Sequence, residues 1–192
     1  DTETVTIRIG FRSVAIAGDI ITVNGEKIVF RGVNRHEWHP RTGRTLDEQT
    51  MRADLELMKR HGVNAIRTSH YPPNARFLDL CDEYGVWVLL ECDLETHGFE
   101  RGGWDGNPTN DDRWYDCLLN RIQRTVERDK NHPAIIGWSM GNESHCGEGI
   151  RLMNDWVKNR DPSRFTHYEG DDAHTICDVW TVMYPSMEWV EA

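Results

Sequence analysis

The sequence predicts an α/β fold: a TIM (β/α)8 barrel, incomplete at about six of its eight strands and preceded by a short β segment. Three observations lead there. From residue 28 onward, strand-like and helix-like patterns alternate, as they do when parallel strands are joined by helical crossovers. The first strand-to-helix turn, Gly32-Val33-Asn34-Arg35-His36-Glu37, holds neither a GxGxxG nor a P-loop, which argues against a nucleotide-binding doubly wound sheet. Polar residues follow every predicted strand, at the positions where a barrel carries its functional groups. At 192 residues the chain can form one good core but falls short of the roughly 250 that a closed barrel usually takes.

Residues 1–27 read as β, the last strands of a preceding domain. Residues 5–12 alternate polar and apolar, as a half-buried strand does. Residues 20–23 and 27–30 flank Asn24-Gly25, a pair that supplies the positive φ angles of a type I′ hairpin turn. In the part from residue 28 onward, Thr45-Leu46-Asp47-Glu48 fits a capping box for a helix that shows Met51, Leu55 and Met58 on one face and stops at Gly62. A short strand covers residues 65–68. The next helix starts near Asn74, shows Phe77, Cys81 and Tyr84, and stops at Gly85. Residues 86–90 form a continuous apolar run, the mark of a strand covered on both faces. A glycine-rich loop over residues 98–110 leads to a helix carrying Trp114, Leu118 and Ile122. The strand Ala134-Ile135-Ile136-Gly137-Trp138-Ser139-Met140-Gly141 then ends abruptly in Asn142, Glu143 and Ser144. A fourth helix shows Ile150, Met153 and Val157, and residues 165–169 and 179–183 read as two further strands.

Composition narrows the function classes. The net charge of −10 argues against nucleic acid and anionic membranes as partners, whereas a neutral ligand such as a sugar is indifferent to that field. No apolar run approaches the roughly 20 residues of a membrane span. The five cysteines are odd in number and include no CxxC pair, so they suggest neither a disulfide framework nor a zinc knuckle and fit a cytoplasmic protein. Eight tryptophans exceed what a core of this size needs, and aromatic faces stack well on sugar rings. The chain begins at Asp1 rather than Met, as an excised piece of a longer protein would.

The chemistry sits at the strand ends. Asn34, Arg35, His36 and Glu37 follow the first barrel strand; Arg67, Ser69 and His70 the second; Asp93, Glu95 and His97 the third; Asn142 and Glu143 the fourth; Glu169 the fifth; Tyr184 the sixth. A carboxylate at the mouth of a buried strand is expensive to desolvate without a partner or a task, which marks Glu143 as an acid/base candidate. Arg67 lies one residue inside its strand end, where a guanidinium needs a carboxylate partner. His61 and His132 sit at helix ends, where an imidazolium suits the dipole, and are read as structural. In extended backbone Glu95 and His97 point the same way, so they form either a metal-binding pair or a hydrogen-bonded pair. With Glu143 as a third ligand such a site is oxygen-rich and suits Mg²⁺ rather than Zn²⁺.

Five blocks in order carry a family resemblance: Arg31-Gly32-Val33-Asn34-Arg35-His36-Glu37, Arg67-Thr68-Ser69-His70-Tyr71-Pro72, Leu94-Glu95-Thr96-His97-Gly98, Arg128-Asp129-Lys130-Asn131-His132-Pro133 and Trp138-Ser139-Met140-Gly141-Asn142-Glu143-Ser144. Over residues 28–185 the chain resembles the catalytic barrel of the β-galactosidases of glycoside hydrolase family two, and the Glu-Thr-His-Gly block separates these from the related β-glucuronidases. Residues 1–27 resemble the end of the immunoglobulin-like domain that precedes that barrel, which leaves residues 28–192 as its N-terminal part. The resemblance implies Glu143 as general acid/base, Mg²⁺ held by Glu95, His97 and Glu143, and Asn142 on the sugar 2-hydroxyl. It implies His36 and His70 on the galactosyl hydroxyls, Tyr184 also among the substrate-binding residues, and Arg67 and Tyr184 orienting the nucleophile. A sodium ion is also implied, with no ligands for it in this chain, as is a homo-oligomer for the full-length parent.

A retaining glycosidase needs two carboxylates about 5 Å apart. In the family the second follows the seventh strand, beyond Ala192, and neither Glu169 nor Glu188 stands in its context. The sequence therefore implies hydrolysis of terminal β-D-galactosides by the parent and inactivity of the isolated segment. The alternatives are a non-catalytic sugar-binding or complementing module and a β-glucuronidase.

Overall fold

Parallel strands can share a sheet only if other structure carries the chain back between them. The computed structural model, which describes residues 2–6 and 8–191, follows that rule. A small antiparallel sheet comes first, from β1 (Val14–Ala17), β2 (Ile20–Val23) and β3 (Glu26–Lys27). Asn24 and Gly25, at φ 54° and 83°, make the expected tight turn between β2 and β3. Then β4 (Gly32–Arg35), α1 (Glu48–Arg60), β5 (Ala65–Thr68), α2 (Ala75–Tyr84), β6 (Trp87–Glu91), α3 (Tyr115–Asp129), β7 (Ile135–Asn142), α4 (Glu148–Arg160) and β8 (Phe165–Glu169) alternate, and a short α5 (Met187–Glu191) follows. The five strands β4 to β8 are all parallel and lie side by side in chain order. A doubly wound sheet reverses its strand order at a switch point. None occurs here, so the sheet is an incomplete barrel wall.

Side chains alternate across a strand, and here the two faces meet different cores. Val88 and Leu90 of β6, with Ile135, Trp138 and Met140 of β7, pack among Leu55 of α1, Phe77 of α2, Ile122 of α3 and Met153 of α4. Trp87, Leu89, Ile136 and Phe165 face the other way and pack on Val14, Ile21, Val23 and Ile28 from the hairpin region. Helices thus cover the outside of the wall and the hairpin covers the lower part of its inside. Burial on both faces is why β6 and β7 read as continuous apolar runs.

Helix ends follow local chemistry. Asn74 accepts a hydrogen bond from the Arg76 amide at 2.9 Å and caps α2, which ends at Gly85 with φ 64°. The cap of α1 is Asp47, whose Oδ1 accepts from the Thr50 amide at 2.8 Å, rather than Thr45 of the expected capping box. Glu48, the acidic member of that box, bonds Arg52 and Arg76 instead. Trp114 precedes α3 and is exposed, so the buried face of that helix starts at Leu118.

Two expected strands do not form. Among the described residues of 5–12 there is none, and Ile7 lies outside the described residues. A strand needs a partner, and Phe11 is 91% exposed. The sixth barrel strand, residues 179–183, is reduced to a single bridge between His167 and Val179. Asp178 turns back there, accepting from the amide and hydroxyl of Thr166 at 2.9 and 3.0 Å.

Gly141 shapes the end of β7. It has φ 152°, and a Cβ there would stand 2.6 Å from the Leu94 carbonyl oxygen. Gly141→Ala is expected to lower unfolding free energy by about 1–3 kcal/mol in urea titrations; an unchanged midpoint would contradict the close packing of these two segments.

Candidate active site

Parallel alignment brings the C-terminal ends of β4 to β8 to one edge. The two-residue period that turns Trp87 and Leu89 inward also turns Glu91 inward. Register sets Glu91 beside Ser139 of β7, and Ser139 beside His167 of β8. The inner face is therefore apolar below and polar at its rim.

Glu91 is the centre of that rim and is fully buried, at 0% exposure. Arg67 Nε donates to its Oε2 at 2.7 Å, and Arg67 Nη2 pairs with the same oxygen at 2.6 Å. Ser139 Oγ donates to the same oxygen at 2.7 Å, while His70 Nδ1 lies 2.6 Å from Oε1. Arg67 Nη2 also donates to Asn142 Oδ1 at 2.8 Å. The Asn142 amide nitrogen donates to Glu95 Oε1 at 2.8 Å and to Glu143 Oε2 at 3.1 Å. An unbroken chain of hydrogen bonds thus runs from His70 through Glu91, Arg67 and Asn142 to both Glu95 and Glu143.

The loop after β7 is pinned from several sides. The Asn142 amide donates to the Leu94 carbonyl and the Glu143 amide to the Glu169 carbonyl, each at 2.9 Å. Ser144 donates from its amide to the Tyr168 hydroxyl and accepts at Oγ from the Thr96 amide. Asn107 Nδ2 donates to the Ser144 carbonyl at 2.7 Å. Glu143 takes a positive φ of 38°, and its side chain is 29% exposed, open enough to meet a ligand.

The expected site residues divide into those this network gathers and those it does not. Arg67, His70, Glu95, Asn142 and Glu143 belong to it. His36 is exposed and stands edge-on to His70 with ring centroids 5.4 Å apart. Partial burial, and next the neighbouring His70, lower the His36 pKa and favour a neutral ring. His97 Nδ1 lies 3.5 Å from Glu143 Oε2, and its Nε2 lies 2.8 Å from Glu100. Tyr184 is 94% exposed, and among the described residues no hydrogen bond ties it to the network. Glu37 is buried with Arg35 and takes the Asn74 amide, so it secures the loop after β4. Burial acts to raise the Glu169 pKa, but His167 and Thr181 Oγ1 outweigh it and hold this carboxyl below its usual range.

Glu95, His97 and Glu143 form a donor set with the oxygen-rich character that suits Mg²⁺. As folded, Asn142 holds both carboxylates and Glu100 engages His97 Nε2. Among the described residues no group of three His, Cys, Asp or Glu side chains is arranged to hold a metal ion. The three expected ligands nevertheless lie together, with both carboxylates on Asn142 Nδ2 and His97 Nδ1 3.5 Å from Glu143 Oε2.

Over residues 14–192 the chain matches the family described as Glycosyl hydrolases family 2, TIM barrel domain. It is 59% identical over 169 residues to a protein of Arthrobacter sp. (strain B7) named Beta-galactosidase, a match covering 88% of this chain and 17% of that protein. A Beta-galactosidase of Vibrio cholerae is 47% identical over 182 residues, 94% of this chain and 17% of the relative. The chain thus spans only 17% of the length of these curated relatives. Among solved structures, an uncultured Clostridium sp. β-glucuronidase aligns with a TM-score of 0.76 at 27% identity, over 85% of this chain and 29% of that one. A β-galacturonidase from Eisenbergiella tayi bound to galacturonate aligns at 0.71 and 31% identity, over 84% of this chain and 29% of that one.

The Arg67–Glu91 pair yields a stability prediction. Arg67→Met leaves a buried carboxylate without its cation and should cost about 3–5 kcal/mol in denaturant unfolding. Adding Glu91→Leu should restore part of that loss, so a double variant no more stable than the single one would show that the pair is not coupled.

Proposed function

The chain belongs to the glycosyl hydrolases of family 2, and we propose that it carries the acid/base part of a retaining β-galactosidase barrel. The observation that carries this is the Asn142–Glu143 pair: a part-exposed carboxylate at the mouth of the buried strand β7, fixed by the neighbouring amide. Sequence relatives named Beta-galactosidase, 59% and 47% identical, favour a galactoside over a glucuronide.

In this mechanism Glu143 gives its proton to the glycosidic oxygen as the bond to the anomeric carbon breaks, then takes a proton from the water that releases the sugar. Asn142 holds Glu143 in place through Nδ2. His36 and His70, paired at the ends of β4 and β5, meet the sugar hydroxyls. Arg67, held by Glu91, faces the position of the second carboxylate, which comes from a barrel strand outside these residues. The isolated chain therefore does not complete the double displacement. Glu95, His97 and Glu143, which cluster around the Asn142 side-chain amide, would be the residues to hold Mg²⁺, which would supply positive charge beside Glu143.

The test compares the 192-residue chain alone with a complete barrel that contains it. The chain alone should leave a chromogenic β-galactoside intact, and the complete barrel should cleave it while sparing the matching glucuronide. Glu143→Gln in the complete barrel should lower kcat by about 10²–10⁴-fold for a poor leaving group, and far less in the glycosyl-transfer step for an activated one. Ordinary turnover by the chain alone, or a loss that ignores the leaving group, would sink the assignment.

A further inference from the structure

The two oxygens of Glu91 have separate duties. Oε2 accepts from Arg67 and from Ser139, whereas Oε1 faces His70 Nδ1 alone among the described residues. An ionised carboxylate only accepts, so His70 must donate from Nδ1. In the neutral imidazole that leaves Nε2 as the acceptor. No hydrogen bond among the described residues reaches that nitrogen, and the ring lines a cleft of about 350 Å³ with His36, Glu95 and Trp114.

We infer that Glu91 is a positioning residue that fixes the tautomer of His70, so that His70 offers the Nε2 lone pair to a substrate hydroxyl. The inference deepens the proposed function and rests on it for the identity of that hydroxyl, as one of the sugar's. Glu91 lies beneath the rim, fully buried, and acts only through His70 and Arg67. The Arg67 contacts keep the carboxylate from turning, and Ser139, itself bonded to His167 Nδ1 at 2.9 Å, holds the same oxygen from the β7 side.

Glu91→Gln is nearly isosteric and tests this directly. Arg67 and Ser139 are both donors toward Oε2, so they select the amide oxygen for that side. The amide NH2 then faces His70, and Nδ1 must become the acceptor. Histidine-labelled ¹⁵N spectra of the 192-residue chain, with the His70 signal assigned by His70→Asn, should show a neutral ring protonated at Nδ1. Glu91→Gln should move that proton to Nε2, and Ser139→Ala, which touches only the other oxygen, should leave it at Nδ1. In a complete barrel, Glu91→Gln should lower kcat/KM for β-galactosides by about 10²-fold. A neutral wild-type ring protonated at Nε2, a doubly protonated ring at the assay pH, or a Gln variant with both tautomer and kcat/KM unchanged would overturn the inference. The wild-type spectrum decides even if the variant fails to fold. If the complete barrel cleaves no β-galactoside, the proposed function fails while the spectra still report on Glu91 and His70.

Discussion

A carboxylate with no access to water must be matched by charge and hydrogen bonds or it destabilises the fold by several kcal/mol. Glu91 is that carboxylate, and the arrangement of the strand ends follows from satisfying it. Its partners come from three places: Arg67 on β5, His70 just after β5, and Ser139 on β7. Its own amide donates to Thr68 Oγ1 at 2.9 Å. Satisfying Glu91 therefore ties β6 to both neighbours at the height of the rim. Arg67 Nη2, paired with the same carboxylate, also donates to Asn142, and Asn142 has two amide hydrogens for Glu95 and Glu143. Glu143 is placed by a sequence of contacts that begins at a residue it never touches.

The wall that carries this rim has two unlike faces. Its outer face is sealed by α1 to α4, whose apolar residues merge with the outward side chains of the strands. Its inner face is sealed only low down, by Val14, Ile21, Val23 and Ile28 around Phe165 and Ile136. Above that lie Arg67, Glu91, Ser139 and His167, which bond one another. A barrel that binds a polar ligand at its C-terminal end needs this gradient from apolar to polar. The break in β7 register between Ser139 and Asn142, with Gly141 at its bend, ends the gradient by turning Glu143 out toward solvent.

Much of this was legible in the sequence where local chemistry decides. Asn24-Gly25 gave its hairpin, Asn74 and Gly85 bounded α2, and Met51 and Leu55 marked the buried face of α1. Asn142-Glu143 and Arg67 stood out because a charged or amide group at the end of an apolar strand has few explanations. Glu91 was missed because it follows Leu90 in what looks like a finished strand. The signal was present: counting by two from Trp87 through Leu89 lands on Glu91, on the inward face. The described residues of 5–12 and residues 179–183 carry strand patterns without strands, because alternation records a preference and pairing needs a neighbour.

By itself the sequence determined the alternation of strands and helices, the parallel sheet, and the list of polar groups at its C-terminal edge. Each depends on residues near one another in the chain. Only the tertiary structure decided which of those groups meet. Glu91 and Arg67, 24 residues apart, and Arg67 and Asn142, 75 apart, become partners through the register of neighbouring strands. Tyr184 carries the same kind of side chain as the gathered residues but is left in solvent, because residues 179–183 pair through a single bridge and do not hold it at the rim. Register depends on how whole strands pack, and no stretch of sequence read alone contains it.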